Sequence, residues 1–243
     1  MIVYGLNPVL EAIRARPGHI RFVGVLSTEK SRLSKLIEEA KAAGIQVRTL
    51  PGDQIRRFAG GKTHNGVVAE VSEAEYADLT ALLRSKNPPN RIFVLDGIQD
   101  PQNLGAILRV ADGFGFGLVV IPRHDSAGLT GTAVKASAGA AEWVPVAQVT
   151  NLARTLDELK QAGYWIYAAA ANGIEVSSVD FAERVVLVLG SEGQGIRRNV
   201  LQHSDQRVAI PMRGRVASLN VATAAAALAY EIDRQATAKS RRG

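Results

Sequence analysis

Five polar side chains able to hold a hydroxyl, an anion or a proton stand just past the ends of three apolar runs. Asn103 and Arg109 follow RIFVLDG, Glu192 follows RVVLVLG, and Ser218 and Asn220 follow RVAIP. An amide, a guanidinium, a carboxylate and a hydroxyl brought together could orient a polar substrate, neutralise developing negative charge and relay a proton. The 243 residues contain no cysteine, which excludes disulfides, thiol nucleophiles and thiolate metal sites. The four histidines, His19, His64, His124 and His203, show no ligand spacing, and no structural metal is expected.

A glycine string elsewhere, ADGFGFG at 111–117, invites comparison with a nucleotide loop, but its order is wrong. A phosphate- or adenosine-binding loop follows a strand and opens a helix, so that free amides at the helix start face the ligand. Here a helical pattern, NLGAILRVADGFG, precedes the glycines and an apolar strand pattern, GLVVIP, follows them. Gly113 or Gly115 therefore reads as a left-handed helix stop. LVLGSEGQGI has the required order: an apolar run ends at Leu189 and Gly190, and a loop with Glu192, Gly193 and Gly195 leads into IRRNVLQ. Glycines at a strand end let a ligand approach the backbone, although such turns also contain glycine for geometry alone.

The elements that would carry these residues alternate between strand and helix. Over residues 1–72, Asn7 before Pro8 reads as a cap opening a helix, followed by strand IRFVGVL, helix SRLSKLIEEAKAAG, and strands IQVRTL and GVVAEV. The pattern lapses over 73–90, where SKNPPN stops both helix and central strand, and a linker is expected there. Over 91–243, strands RIFVLDG, GLVVIP, YWIYAAA, RVVLVLG and one ending at Ile210 and Pro211 alternate with helices, the last being SLNVATAAAALAYEIDRQ. This predicts an α/β fold with a mostly parallel sheet covered on both faces, and a ligand site beyond the carboxyl ends of its strands.

The formal charge of +6 points toward a polyanionic partner. Residues 1–72 carry 11 Lys and Arg against 6 Asp and Glu, so this part is the more phosphate-facing one. The start, MIVYGLNPVLEAIR, lacks the pattern of a signal peptide. The longest uncharged stretch, 216–230, is shorter than the roughly 20 residues of a spanning helix. A cytoplasmic protein without membrane contact is expected.

DPQNLGAILR, LVLGSEGQGI and IPMRGRVASLNVATAAAALAYE together resemble, in order and spacing, the three signature motifs of the SpoU, or TrmH-like, family of RNA ribose 2'-O-methyltransferases. YGLNPVLEAI and HNGVVAEV resemble the small RNA-binding domain, an L30-like α/β unit, that precedes the catalytic domain in many members. The resemblance implies a trefoil-knotted, parallel-sheet methyltransferase domain, S-adenosylmethionine as methyl donor, and a homodimer whose active site draws on both subunits. No periodicity leads to a knot, which ordinary chain connection excludes.

By the family's pattern, Leu189, Gly190, Ile210 and Leu219 hold the cofactor, largely through backbone, with core packing the other reading of Leu219. Arg109 is the key catalytic residue, as the base acting on the ribose hydroxyl or, since arginine holds its proton, as a phosphate clamp and electrostatic stabiliser. Asn103 orients Arg109 or the ribose, caps its helix, or does both. Glu192 positions the site or merely turns the chain, and Ser218 and Asn220 hold the substrate ribose while capping the last helix. His64 and Lys62, and the arginine pairs of IRRN (Arg197) and RGR (Arg213), are candidate RNA contacts or simply solvated loops. The two-domain layout implies 23S rRNA as substrate, at a guanosine of the peptidyl-transferase P loop. Methylation of tRNA or of a resistance-type rRNA site, and a non-catalytic RNA-binding relative, are the competing readings.

Overall fold

The computed structural model describes residues 1–61, 63–72, 75–216 and 218–240. Two sheets organise them. The first has strand order β1 (Ile2–Tyr4), β4 (Val67–Val71), β2 (Ile20–Leu26), β3 (Val47–Leu50). β2 and β3 run parallel through the crossover helix α2 (Ser34–Ala42), while β4 is antiparallel to both neighbours. α1 (Leu6–Ala15) and α3 (Gly52–Phe58) complete this part. The expected cap at Asn7 is not formed: α1 begins at Leu6, its N-cap is Gly5, and Asn7 lies inside the first turn.

The second sheet has order β10 (Gln206–Ala209), β8 (Trp165–Glu175), β9 (Val185–Gly190), β5 (Arg91–Asp96), β6 (Leu118–Pro122), β7 (Val146–Val149), and every neighbouring pair is parallel. Ile92, Phe93, Val94 and Leu95 are fully buried, as befits a central strand covered on both faces. α5 (Pro101–Gly113), α6 (Gly131–Ala136), α7 (Leu152–Gln161), α8 (Arg198–Gln202) and α9 (Val221–Ser240) supply the cover. The chain builds β5, β6 and β7 outward in one direction, then returns to the far side with β8 and inserts β9 beside β5. The register pairs Asp96 with Gly190, so the loops leaving β5 and β9 start side by side at this switch of direction.

α5 follows β5 closely and packs on α6 through Gly105, where a Cβ would lie 2.3 Å from the Ala133 carbonyl oxygen. At its other end Gly115, with φ of 68°, turns the chain into β6, so the ADGFGFG string is a helix exit. The segment between the sheets is not featureless: it contains α4 (Leu79–Leu83), capped by Asp78, and Ala77 bridges to Ala147. The sheets touch where α1 and β1 meet α6 and the segment after it. Arg16 pairs with Glu142 at 2.9 Å, the Trp143 indole donates to Glu11, and Lys135 stands over the Tyr4 ring.

Candidate active site

The three loops singled out by their polar residues meet at the carboxyl ends of β5, β9 and β10. α5 is capped by Asp100, whose Oδ1 accepts from the Gln102 amide at 2.8 Å, with Pro101 in the first turn. The capping alternative for Asn103 therefore falls to Asp100, and the Asn103 side chain is available elsewhere. Its Nδ2 donates to Glu192 Oε1 at 3.3 Å, and its Oδ1 accepts from Asn220 Nδ2 at 2.9 Å. Asn220 Nδ2 also donates to Glu192 Oε1 at 2.7 Å, closing a triangle among the three loops. Asn220 Oδ1 meanwhile accepts from the amides of Ala222 and Thr223, so this one residue both starts α9 and ties it to the triangle.

Two clefts lie near these loops, the first lined by Asn103 and Glu192 and the second by Ser218 and Leu219. One, of about 380 Å³, is lined by Asp96–Asp100, Asn103, Asp125, Glu192, Gln194 and Arg197. Asp96, Asp100, Asp125 and Glu192 bring four carboxylates to its wall beside Arg197, and Asp125 stands there with φ of 57°, a conformation that is uncommon outside glycine. The other, of about 530 Å³, lies between the ends of β8 and β10 and the start of α9. Its wall includes Ala169–Ala171, Ile210, Met212, Ser218, Leu219 and Leu228, largely small and aliphatic side chains, with Glu175 at one side.

Of the residues expected at the cofactor, Ile210 and Leu219 line this second cleft, together with Ser218. Leu189 is instead buried in the core beneath the sheet's end, 1% exposed. Gly190 has a local reason to be glycine: a Cβ there would lie 2.1 Å from the Gly195 carbonyl carbon, because the loop 191–195 folds back over it. Arg109 stands on the exposed face of α5, lines neither cleft, and its side chain makes no hydrogen bond or ion pair among the described residues. Six residues beyond Asn103, it lies about 9 Å further along the helix and about 120° around it, so one chain does not aim both at one point.

Among the expected RNA contacts, His64 Nδ1 accepts from the Gly66 amide, which shapes the loop. Lys62 lies outside the described residues. Arg213 is exposed in the loop after β10. The Arg197 guanidinium is engaged by Asp96, with Nε to Oδ1 at 2.7 Å. Sequence reasoning assigned nothing to Asp96 and Asp125. A charged residue closing a buried apolar strand was a usable signal for Asp96, since such a carboxylate needs a partner; no pattern marked Asp125.

Comparison with known proteins decides the family. The SpoU rRNA Methylase family matches residues 90–230, and the RNA 2'-O ribose methyltransferase substrate-binding family matches residues 2–77. The chain belongs to the SpoU family. It is a S-adenosylmethionine-dependent RNA 2'-O-ribose methyltransferase. YacO of Bacillus subtilis, assigned to the TrmH family of tRNA/rRNA methyltransferases, is 40% identical over 237 residues, covering 96% of this chain and 95% of YacO. The 23S rRNA (guanosine-2'-O-)-methyltransferase RlmB of Coxiella burnetii is 38% identical, covering 96% and 95%. The SpoU methyltransferase AviRb of Streptomyces viridochromogenes, solved with AdoMet, shares the fold with a TM-score of 0.80 at 23% identity, covering 98% and 91%. Among the described residues no helix is long and apolar enough to cross a membrane.

The second cleft suits the methyl donor. Adenine and a methionine side chain need apolar walls and no phosphate cradle, and Ala169–Ala171, Ile210 and Leu219 present small and aliphatic ones. The donor supplies an electrophilic methyl group on a sulfonium.

Proposed function

We propose that this SpoU-family enzyme methylates the ribose of a guanosine in 23S rRNA, in the peptidyl-transferase P loop. The observation that carries the site assignment is the Asn103–Glu192–Asn220 triangle, with Asn103 and Glu192 on the wall of one cleft and Ser218 and Leu219, just before Asn220, on the wall of the aliphatic one. In this reading Ile210 and Leu219 wall the donor, and the main chain at Leu189 and Gly190 forms the floor behind Glu192. The target nucleotide enters the other cleft. Guanine offers N1–H and N2–H2 donors on its pairing edge, and Asp100, Asp125 and Glu192, as carboxylates, act only as acceptors. Exposed, unpaired bases are what RNA enzymes read in this way. The match in length and identity with RlmB supports 23S rRNA as the substrate.

Asn103, Asn220 and Ser218 hold the ribose so that its 2'-hydroxyl faces the second cleft, an in-line placement that converts binding into rate. Arg109 lowers the energy of the attacking oxygen as it loses its proton, either through a substrate phosphate or directly. Because Arg109 lines neither cleft of its own chain, the reading calls for a homodimer in which a second copy delivers it. An exposed stripe on α9, Thr223, Ala227, Tyr230 and Arg234, at helical spacing, supports such an interface; Tyr230 is 58% exposed and packs edge-on against Phe114. The trefoil knot is part of the same reading. Its support is that the chain leaves β10 at one edge of the sheet and returns across β8 and β9 to pack α9 on α5.

Residues 1–72 act as the RNA-recruiting unit. Arg56 and Arg57 are exposed on α3 beside Phe58, and Arg48 covers the Phe22 ring at 4.3 Å, so cationic and aromatic surface adjoin. His64, Lys62 and Arg213 add further phosphate contacts. The deciding experiment maps 2'-O-methylation in rRNA and tRNA from a strain lacking this protein. Loss of one 23S guanosine methyl supports the reading; loss of a tRNA methyl, or of none, overturns the substrate. Arg109→Ala should abolish transfer while calorimetry shows S-adenosylmethionine still bound.

A further inference from the structure

The second glycine loop has to hold a carboxylate at its tip, and the structure shows what fixes it. Glu192 is followed by Gly193 and Gly195, both at positive φ, and a Cβ on Gly193 or Gly195 would meet nothing within 4 Å. Such a loop has little side-chain packing of its own and needs anchoring at its ends. One anchor is local: Ser191 and Gly195 exchange amide-to-carbonyl bonds of 3.1 and 2.9 Å. The other crosses to the central strand. Asp96, at the end of β5 and 1% exposed, is the one buried carboxylate among the described residues. Its Oδ2 accepts from the Arg197 amide at 2.7 Å, and its Oδ1 accepts from Arg197 Nε at 2.7 Å and pairs with Nη2 at 2.6 Å.

Three charge-assisted contacts to one residue are more than a backbone turn needs, and two of them hold the Nε–Nη2 side of a guanidinium that is about half exposed. They also place both ends of the loop against β5, since Gly97, next to Asp96, lies beside Ser191. We infer that the Asp96–Arg197 pair is a clamp that positions Glu192 for methyl transfer, making Arg197 a positioning residue and not an RNA contact. The inference rests on the reading that Glu192 serves the ribose site. Asp96 and Arg197 border the first cleft and not the aliphatic one; the pair acts by limiting where Glu192 Oε1 can meet Asn103 and Asn220.

The test compares Arg197→Met and Arg197→Lys in the full-length protein, alone and combined with Glu192→Gln. Arg197→Met should lower kcat on RNA at least tenfold, with RNA and S-adenosylmethionine affinities within twofold of the parent. Arg197→Lys, which can still reach Asp96, should recover most of the loss. In the Glu192→Gln background, Arg197→Met should change kcat less than twofold. Hydrogen exchange on the protein without RNA adds a readout independent of turnover: amides 193–197 should exchange at least tenfold faster in Arg197→Met. Weakened RNA affinity with kcat kept, or a kcat loss of equal size in the Glu192→Gln background, overturns the clamp. Should the parent protein methylate no RNA offered, the functional reading fails while exchange still judges the clamp: a loop loosened by Arg197→Met supports it, and unchanged exchange overturns it.

Discussion

Asn220 shows how one side chain can be needed twice. Its oxygen accepts from the Ala222 and Thr223 amides at the start of α9, and its nitrogen donates to Asn103 and Glu192. The two duties separate by substitution. Serine keeps an N-cap oxygen, so Asn220→Ser should hold the melting temperature near that of the parent, whereas Asn220→Ala should lose about 1 kcal/mol as caps of this type do. Both should lose methyl transfer, because neither can bridge Asn103 to Glu192. A Ser variant with full activity would remove the triangle from the mechanism. Asn103 and Asn220 were legible as polar residues at helix starts, but which of several candidates caps α5 was not. Asp100 and Asn103 both fit the pattern, and the choice turns on which side chain finds a tertiary partner.

At the level of elements, the long apolar strands and amphipathic helices were readable, and what escaped detection was short or dependent on neighbours. β5, β6, β9 and α7 fall where hydropathy places them, since each buries a continuous face. β1 has three residues, β7 four and α6 six, too few to impose a period, and they exist because adjacent strands and α5 offer partners. The α5–α6 contact is a sensitive one. A Cβ on Gly105 would overlap the Ala133 carbonyl and the Ala136 methyl, so Gly105→Ala should destabilise by about 1–3 kcal/mol despite alanine's higher helix propensity, as overpacking does. Thermal unfolding checks it, and a stabilised variant would show that the helices do not meet there. β8 and the residue before it bring a pH dependence. Burial raises the Tyr164 and Tyr167 phenols above their ordinary value; the Tyr164 hydroxyl donates to the Pro89 carbonyl, and that of Tyr167 accepts from the Ala182 amide. A raised native pKa means that the native state keeps a proton the unfolded chain releases. Stability is therefore full below about pH 10 and falls as pH rises through and beyond it. Tyr167→Phe should flatten that alkaline decline in urea titrations, and an unchanged slope would refute the assignment.

For the whole molecule, charge and symmetry set the expectations. The exposed Arg56 and Arg57 of α3 contact phosphate in the proposed reading, so replacing both with alanine should lower RNA affinity and reduce the salt slope by about 1–2. Methyl transfer itself, measured at saturating RNA, should persist. The proposed dimer makes a sharper demand, because Arg109 and the Asn103–Glu192–Asn220 triangle point different ways on one chain. If each site takes its triangle from one subunit and its arginine from the other, two inactive variants must rescue each other. Arg109→Ala supplies an intact triangle, and Asn220→Ala supplies an intact Arg109, so a mixed dimer contains one complete site and one doubly broken one. With equal amounts and free exchange, half of the dimers are mixed, and activity should return to about one quarter of the parent level. Tyr230→Asp, which puts a charge on the exposed α9 stripe, should prevent both the rescue and dimer formation in sedimentation. Mixed dimers shown to form by mass spectrometry yet lacking activity would mean that Arg109 serves its own chain, and that α5 must move for the reaction to occur.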